Sequence, residues 1–297
     1  MSRQVLFKTM TRGTYRVPAI IAVISGAGLI FALVGDGLWD VMSWLAVGLP
    51  LAIAAWVWWP MSAFAQKATP TGRVLDQRAQ NVVDRLHTAN RRQVPSLIAY
   101  FVRRSVPYWL KGSTLPVDAS HEAYLSDKLV SLNPTKCELC YALCAAAKAR
   151  NVVEIGTSFG VSTIYLAAAV RDGGETGRVI GTEIDPAKAA RARVNFAAAG
   201  LESYVELREG DALETLKDLS EPIDFVLIDT WIPVAHPMLE QLKPLLRPGA
   251  IVVCDNTKRF RSAYSDYLNF INDRTNGFRS VLLPYAGGLE ISIKTSD

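Results

Sequence analysis

Acidic and amide residues in this chain repeatedly stand just after runs of strand-forming residues, where side-chain chemistry can be concentrated. Glu154 follows Val152-Val153, Glu183 closes Arg178 to Glu183, Asp229 closes Ile223 to Asp229, and Asp255-Asn256 closes Ile251 to Asn256. In an open parallel sheet the carboxyl ends of the strands share one rim, and ligands bind in the crevice outside it. Asp229, Asp255 and Asn256 would offer three hard oxygen donors there, a set suited to Mg²⁺ more than to zinc. Glu183 lies where a strand-tip carboxylate can accept hydrogen bonds from ribose hydroxyls.

The first of these tips runs into Glu154-Ile155-Gly156-Thr157-Ser158-Phe159-Gly160-Val161-Ser162. Glycine lacks a Cβ and tolerates positive φ, so a cofactor can approach such a turn closely. A dinucleotide turn wants G-x-G-x-x-G, and Gly156 with Gly160 fits that spacing badly. The stretch resembles the first motif of class I S-adenosylmethionine (SAM) methyltransferases, E/D-x-G-x-G-x-G, with Ser158 at the middle glycine. The variant E-[LI]-G-x-x-x-G-x-S, similar to that of the cation-dependent catechol and caffeoyl-CoA O-methyltransferases, is matched by Glu154, Gly156, Gly160 and Ser162.

That resemblance extends over residues 118 to 297 and implies a set of roles. SAM would lie against Glu154, Gly156, Thr157, Ser158, Gly160 and Ser162, with its ribose on Glu183. Its adenine would meet Asp211 and Ala212, in the turn Glu209-Gly210-Asp211-Ala212, and Asp229 would flank it. The resemblance also assigns Asp229, Asp255 and Asn256 to a divalent cation such as Mg²⁺, and Trp231 to the side of the substrate. A bound cation lowers the pKa of vicinal oxygens and aims one at the methyl carbon. The implied acceptor is a phenol, catechol or quinol. One departure stands out: the family's lysine three residues after the first metal aspartate is Ile232 here. Lys258 and His236 are the substitute candidates for a base.

The elements that would hold these residues alternate between helix and strand, which predicts an α/β fold with a mostly parallel Rossmann-like sheet. Helices are expected over 134–149, from 161 through Val170, over 186–199 with Asp185 as cap, over 239–246 and over 262–275. The chain should close on an antiparallel hairpin, 278–284 with 288–294. Cys137, Cys140 and Cys144 fall on one helix face and read as core packing, because their spacing and uncharged neighbours do not suit an iron–sulfur cluster. With Cys254 the only other cysteine, nothing implies a disulfide framework.

Ahead of this lies a different composition. Half of the 297 residues are hydrophobic, and Val17 to Val34 and Val41 to Pro60 contain no charge. Each approaches the roughly 20 residues needed to cross a bilayer. Arg3, Lys8, Arg12 and Arg16 precede them, Lys67, Arg73 and Arg78 follow, and Asp36 and Asp40 lie between. This charge pattern predicts a transmembrane hairpin with both ends cytoplasmic. The expected order is a basic tail over 1–16, the hairpin over 17–60, a basic helical connector over 61–117 and the methyltransferase-like domain over 118–297. Membrane attachment would suggest a lipophilic small-molecule acceptor. A net charge of +4 gives no compositional support to nucleic-acid binding. The sequence leaves open a homodimer, and also a SAM-binding membrane protein without catalysis, for which Ile232 is the best support.

Overall fold

The computed structural model describes residues 74–110, 124, 128–129, 131–174, 176–285 and 287–295. Seven strands form one sheet: β1 (Asn151–Ile155), β2 (Arg178–Glu183), β3 (Val205–Glu209), β4 (Ile223–Ile228), β5 (Leu246–Asp255), β6 (Phe278–Leu283) and β7 (Leu289–Lys294). Their order is β3-β2-β1-β4-β5-β7-β6. The first five run parallel, and β7 is antiparallel to both β5 and β6. The closing hairpin therefore inserts its second strand beside β5, and the expected sheet is observed.

Why these segments are strands is visible in their side chains. All six residues of β4 are buried, as are four of the five in β1. Such near-continuous buried runs, apolar but for Glu154 in β1 and Asp224 in β4, belong to strands covered on both faces. Successive side chains point to opposite faces. Val152, Phe225, Leu227 and Val253 thus enter one core, and Val153, Ile155, Val226, Ile228 and Val252 enter the other. Each fully buried residue of this size contributes on the order of 2 kcal/mol.

The first core is covered by α1 (Gln77–Leu110), α2 (Pro134–Ala146), α3 (Val161–Asp172) and α4 (Pro186–Ala199). The second is covered by α5 (Ala212–Thr215), α6 (Ile232–Leu242) and α7 (Ser265–Asn272). Asp185 caps α4 as expected, accepting from the Ala187 and Lys188 amides. Helix α2 stops three residues early, in a turn where Lys148 takes φ +50°. Helix α6 begins at Ile232 rather than Leu239, with Pro233 in its first turn, a position where the missing N–H costs nothing. Helix α7 is shorter at both ends than the expected 262–275.

The polar stretch before the domain folds onto it. Ala79, Val82, Val83 and Leu86 of α1 are buried in the first core. Arg78 caps the far end of α4, donating from Nε to the Ala198 carbonyl at 2.8 Å and from Nη2 to that of Ala197 at 2.6 Å, and so satisfies carbonyls that the helix leaves open. Helix α1 continues three residues beyond Pro107.

The expected membrane localisation needs correction. No helix among the described residues is long and apolar enough to cross a membrane. The longest, α1, carries Asp84, Arg85, Arg91, Arg92, Arg103 and Arg104 along its length, and such charges are costly in hydrocarbon. The two apolar spans and the tail before them lie outside the described residues. The inference of a lipophilic acceptor rested on those spans and is withdrawn with the localisation.

Candidate functional site

The turn after β1 is held from below by β2. The amides of Gly156 and Thr157 both donate to the Thr182 carbonyl, at 3.2 and 2.9 Å, and the Gly160 amide donates to the Thr157 carbonyl at 2.8 Å. Gly156 has φ +94°, and a Cβ there would strike the Asp229 backbone carbonyl. Both constraints select glycine: the left-handed conformation and the lack of room. Ser158 is also left-handed, at φ +51°. Its amide donates to Glu183 Oε2 at 2.7 Å, while Glu183 Oε1 accepts from the Asp185 amide at 2.9 Å. Glu183 therefore braces the glycine turn from the tip of β2.

Glu154 lies beneath the turn. It is fully buried and accepts from the Thr157 hydroxyl at 3.0 Å and from that of Thr163. Burial pushes its carboxyl up, and hydrogen bonds from Ser162, Thr163 and Thr157 pull it down. The acid thus ties the strand tip to the first turn of α3, where Val161 and Ser162 begin the helix. Thr163 carries part of this work and had no signal in the motif.

Asp229 directly follows β4, and its amide donates to the Ile155 carbonyl at 3.0 Å. A cleft at this rim is lined by Gly156, Thr157, Ser158, Phe159, Ser162 and Asp229, with Leu129, Ser131 and Leu132 across from them. A larger cavity of about 170 Å³ lies at the opposite end of the sheet, among Asn151, Arg178 and Glu221, away from the strand tips. The turn after β3 joins the same rim: the Gly210 amide donates to the Glu183 carbonyl at 2.9 Å. Asp211 caps α5 by accepting from the Leu213 amide at 2.9 Å, and Ala212 is buried.

Asp255 ends β5 with both carboxylate oxygens engaged. Oδ1 is ion-paired with Lys136, and Oδ2 accepts from the Asn256 side-chain amide at 3.0 Å. Lys136 stands in the first turn of α2, is buried, and also donates to the Gly288 carbonyl at 3.3 Å. Asp229 is pushed up, to about 8, by burial and by the charges of Asp255 and Glu154, with Lys136 acting against them. Burial also raises Asp255, and Lys136 opposes that shift.

These donors do not fit a divalent ion as they stand. Asp255 Oδ1 is held by the buried Lys136 ammonium, which a divalent ion would meet as like charge, and Asn256 turns its NH₂ group toward Asp255. Sequence reasoning missed Lys136 altogether. The available signal was its position four residues before Cys140, which puts it on the face that α2 buries.

The remaining candidates are spread more widely. Trp231 precedes α6 and is 39% exposed. His236 packs edge-on against Phe270, and its Nε2 lies 3.8 Å from Glu240. Lys258 is exposed, and its amide donates to the Gly287 carbonyl at 3.1 Å. Ile232 packs against the second core. Cys137, Cys140, Cys144 and Cys254 are buried with their thiols pushed up by desolvation, which leaves them inert packing groups.

Comparison with known proteins agrees with this geometry. Residues 153–257 match a family model described as a methyltransferase domain. Over 134 residues the chain is 36% identical to a catechol O-methyltransferase of Niastella koreensis, covering 44% of this chain and 59% of the relative. Over 118 residues it is 42% identical to a catechol O-methyltransferase of Mycobacterium tuberculosis, covering 39% of this chain and 52% of the relative. The chain thus spans somewhat more than half the length of these relatives. A cofactor-bound crystal structure from MTB is 28% identical, covers 65% of this chain and 98% of its own, and superposes with a TM-score of 0.54. An O-methyltransferase from Bacillus cereus in complex with SAH shares the fold at a TM-score of 0.52 and 23% identity, covering 66% of this chain and all of its own. The resemblance read from the glycine turn therefore holds, and the chain carries a class I methyltransferase fold.

Proposed function

We propose that this protein is a SAM-dependent O-methyltransferase acting on a phenol or catechol hydroxyl. The observation that carries the reading is the turn from Glu154 to Ser162, with Gly156 closed against the Asp229 backbone and Ser158 braced by Glu183. Gly156, Thr157, Ser158, Gly160 and Ser162 would form the cradle. Glu183 would receive the ribose, Asp211 and Ala212 would flank the adenine, and Trp231 would bound the acceptor. When bound, SAM supplies a methyl group on a sulfonium that an oxygen nucleophile accepts by in-line displacement. The protein's own contribution is orientation: a rigid turn and a defined rim hold two reactants at one approach, which is worth several kcal/mol of barrier.

The acidic groups of the rim are compatible with this occupant. Burial and the neighbouring Asp255 and Glu154 raise the Asp229 carboxyl, and a sulfonium bound beside it would favour its ionised form. The test is transfer of labelled methyl from SAM to a panel of phenols and catechols. Turnover of a catechol is the expected result. Tight SAM binding without turnover on any member of the panel would instead favour a non-catalytic SAM-binding role, the reading that Ile232 in the lysine position supports.

A further inference from the structure

Granted the SAM site proposed above, the geometry points to Lys136 as the resident cation of this rim: its ammonium takes the place beside Asp255 that a divalent ion would need, so the site works without one. Lys136 is 3% exposed and reaches Asp255 Oδ1 across 119 residues of sequence. Its second contact, at 3.3 Å, is the carbonyl of Gly288, just before β7. One ammonium thus ties α2 to the end of β5 and to the loop entering β7.

Two physical facts make the arrangement exclusive. Mg²⁺ demands near-octahedral oxygen donors at about 2.0–2.1 Å and gives up its waters reluctantly. Asp255 Oδ1 already carries the Lys136 ammonium and Oδ2 the Asn256 amide, so a dication taken up by Asp255 would stand beside a buried positive charge. The ammonium would then be buried against like charge, which the low-dielectric interior strongly disfavours. Lys136 therefore acts as a positioning residue. It neutralises Asp255, holds the β5 tip in place and keeps that tip closed to metal.

Mn²⁺ titration of the full chain, followed by the electron paramagnetic resonance signal of the free ion, separates the possibilities. The unmodified protein should leave the signal undiminished, and its methyl transfer should be unchanged in EDTA. Lys136→Met should sequester Mn²⁺, because the pair of aspartates loses its internal counter-ion. Lys136→Arg should restore the unmodified behaviour. If Lys136→Met fails to fold, Lys136→Gln replaces it in the same titration, since it is uncharged and close in size. Sequestration by the unmodified chain that Asp255→Asn abolishes would overturn the proposal. EDTA-sensitive turnover restored by Mg²⁺ would also do so, as would a folded, uncharged Lys136 variant that takes up no Mn²⁺. Calorimetric SAM binding is run alongside. Its absence would overturn the proposed function, whereas the Mn²⁺ signal judges the role of Lys136 independently of turnover.

Discussion

Strands β4 and β5 carry charge at both ends, and the two ends treat it oppositely. At their start, Asp224 Oδ2 accepts from the Arg150 and Asn151 amides at 2.7 and 2.9 Å, and Oδ1 is ion-paired with Arg247. Burial raises its carboxyl, but the Arg247 hydrogen bond and the two amides outweigh that and hold it below the usual range. At the far end Asp229 and Asp255 are both raised, with Lys136 acting against burial at each. The same residue type is a satisfied, ionised clamp at one end and a carboxyl pushed toward its protonated form at the other. Carboxyls perturbed in this way gather where a ligand completes a site. The difference sets the carboxyl-end rim, the proposed SAM site, apart from an opposite end whose aspartate is fully paired.

Substitutions can break or sharpen this contrast. The largest effect is expected from Gly156→Val, which combines a disfavoured φ with a clash against the Asp229 carbonyl. SAM binding measured by calorimetry should weaken about 100-fold, equivalent to about 2.7 kcal/mol. Unchanged affinity would remove the turn from the site.

Asp224→Ala strikes the other end. Loss of an ion pair and two charge-assisted amide bonds should cost about 2 kcal/mol in urea unfolding, with SAM affinity unchanged. A matching loss of SAM affinity would erase the division between the ends.

Titration should separate the two ends in sign. The folded pKa of Asp224 is depressed, so its stabilisation is present above the unfolded value near 3.8 and is lost as pH falls through the folded one. The folded value of Asp229 is raised to about 8 by burial and by the facing Asp255 and Glu154, with Lys136 opposing. Between about pH 4 and pH 8 the native state then holds more protons at Asp229 than the unfolded chain, and stability falls as pH rises. Asp229→Asn should therefore raise the urea midpoint more at pH 8 than at pH 5, whereas Asp224→Asn should lower the midpoint at both. A rise that did not grow with pH would contradict the raised Asp229 carboxyl.

The smallest effect is expected at neither end. His236 is packed against Phe270, and His236→Gln should leave methyl transfer intact and change stability by no more than about 0.5 kcal/mol. A collapse of turnover would return this histidine to the list of bases.

Much of the fold was legible because its signals are local. The apolar runs of β1, β4 and β5 and the glycines after β1 each declare themselves within a few residues, and a parallel sheet follows from their alternation with helices. The strand-tip acids were legible for the same reason, since a sheet of this kind brings consecutive tips to one rim. What those acids do was less so. Glu154 reads as a cofactor ligand in the motif, yet in the fold it accepts from Thr157 and Thr163 in the interior. Lys136 pairs with an aspartate more than a hundred residues away, and no short window contains both. The start of α6 was obscured by Pro233 and Pro237, which suggest a break in sequence but are accommodated within the helix.

The central claim, that the rim takes SAM, is tested most directly by calorimetric titration of the full chain with SAM and, separately, with NAD. Saturable one-to-one binding of SAM that Gly156→Val removes, with no heat from NAD, is the expected result. Binding of NAD in preference to SAM, or no binding of SAM at all, would contradict it.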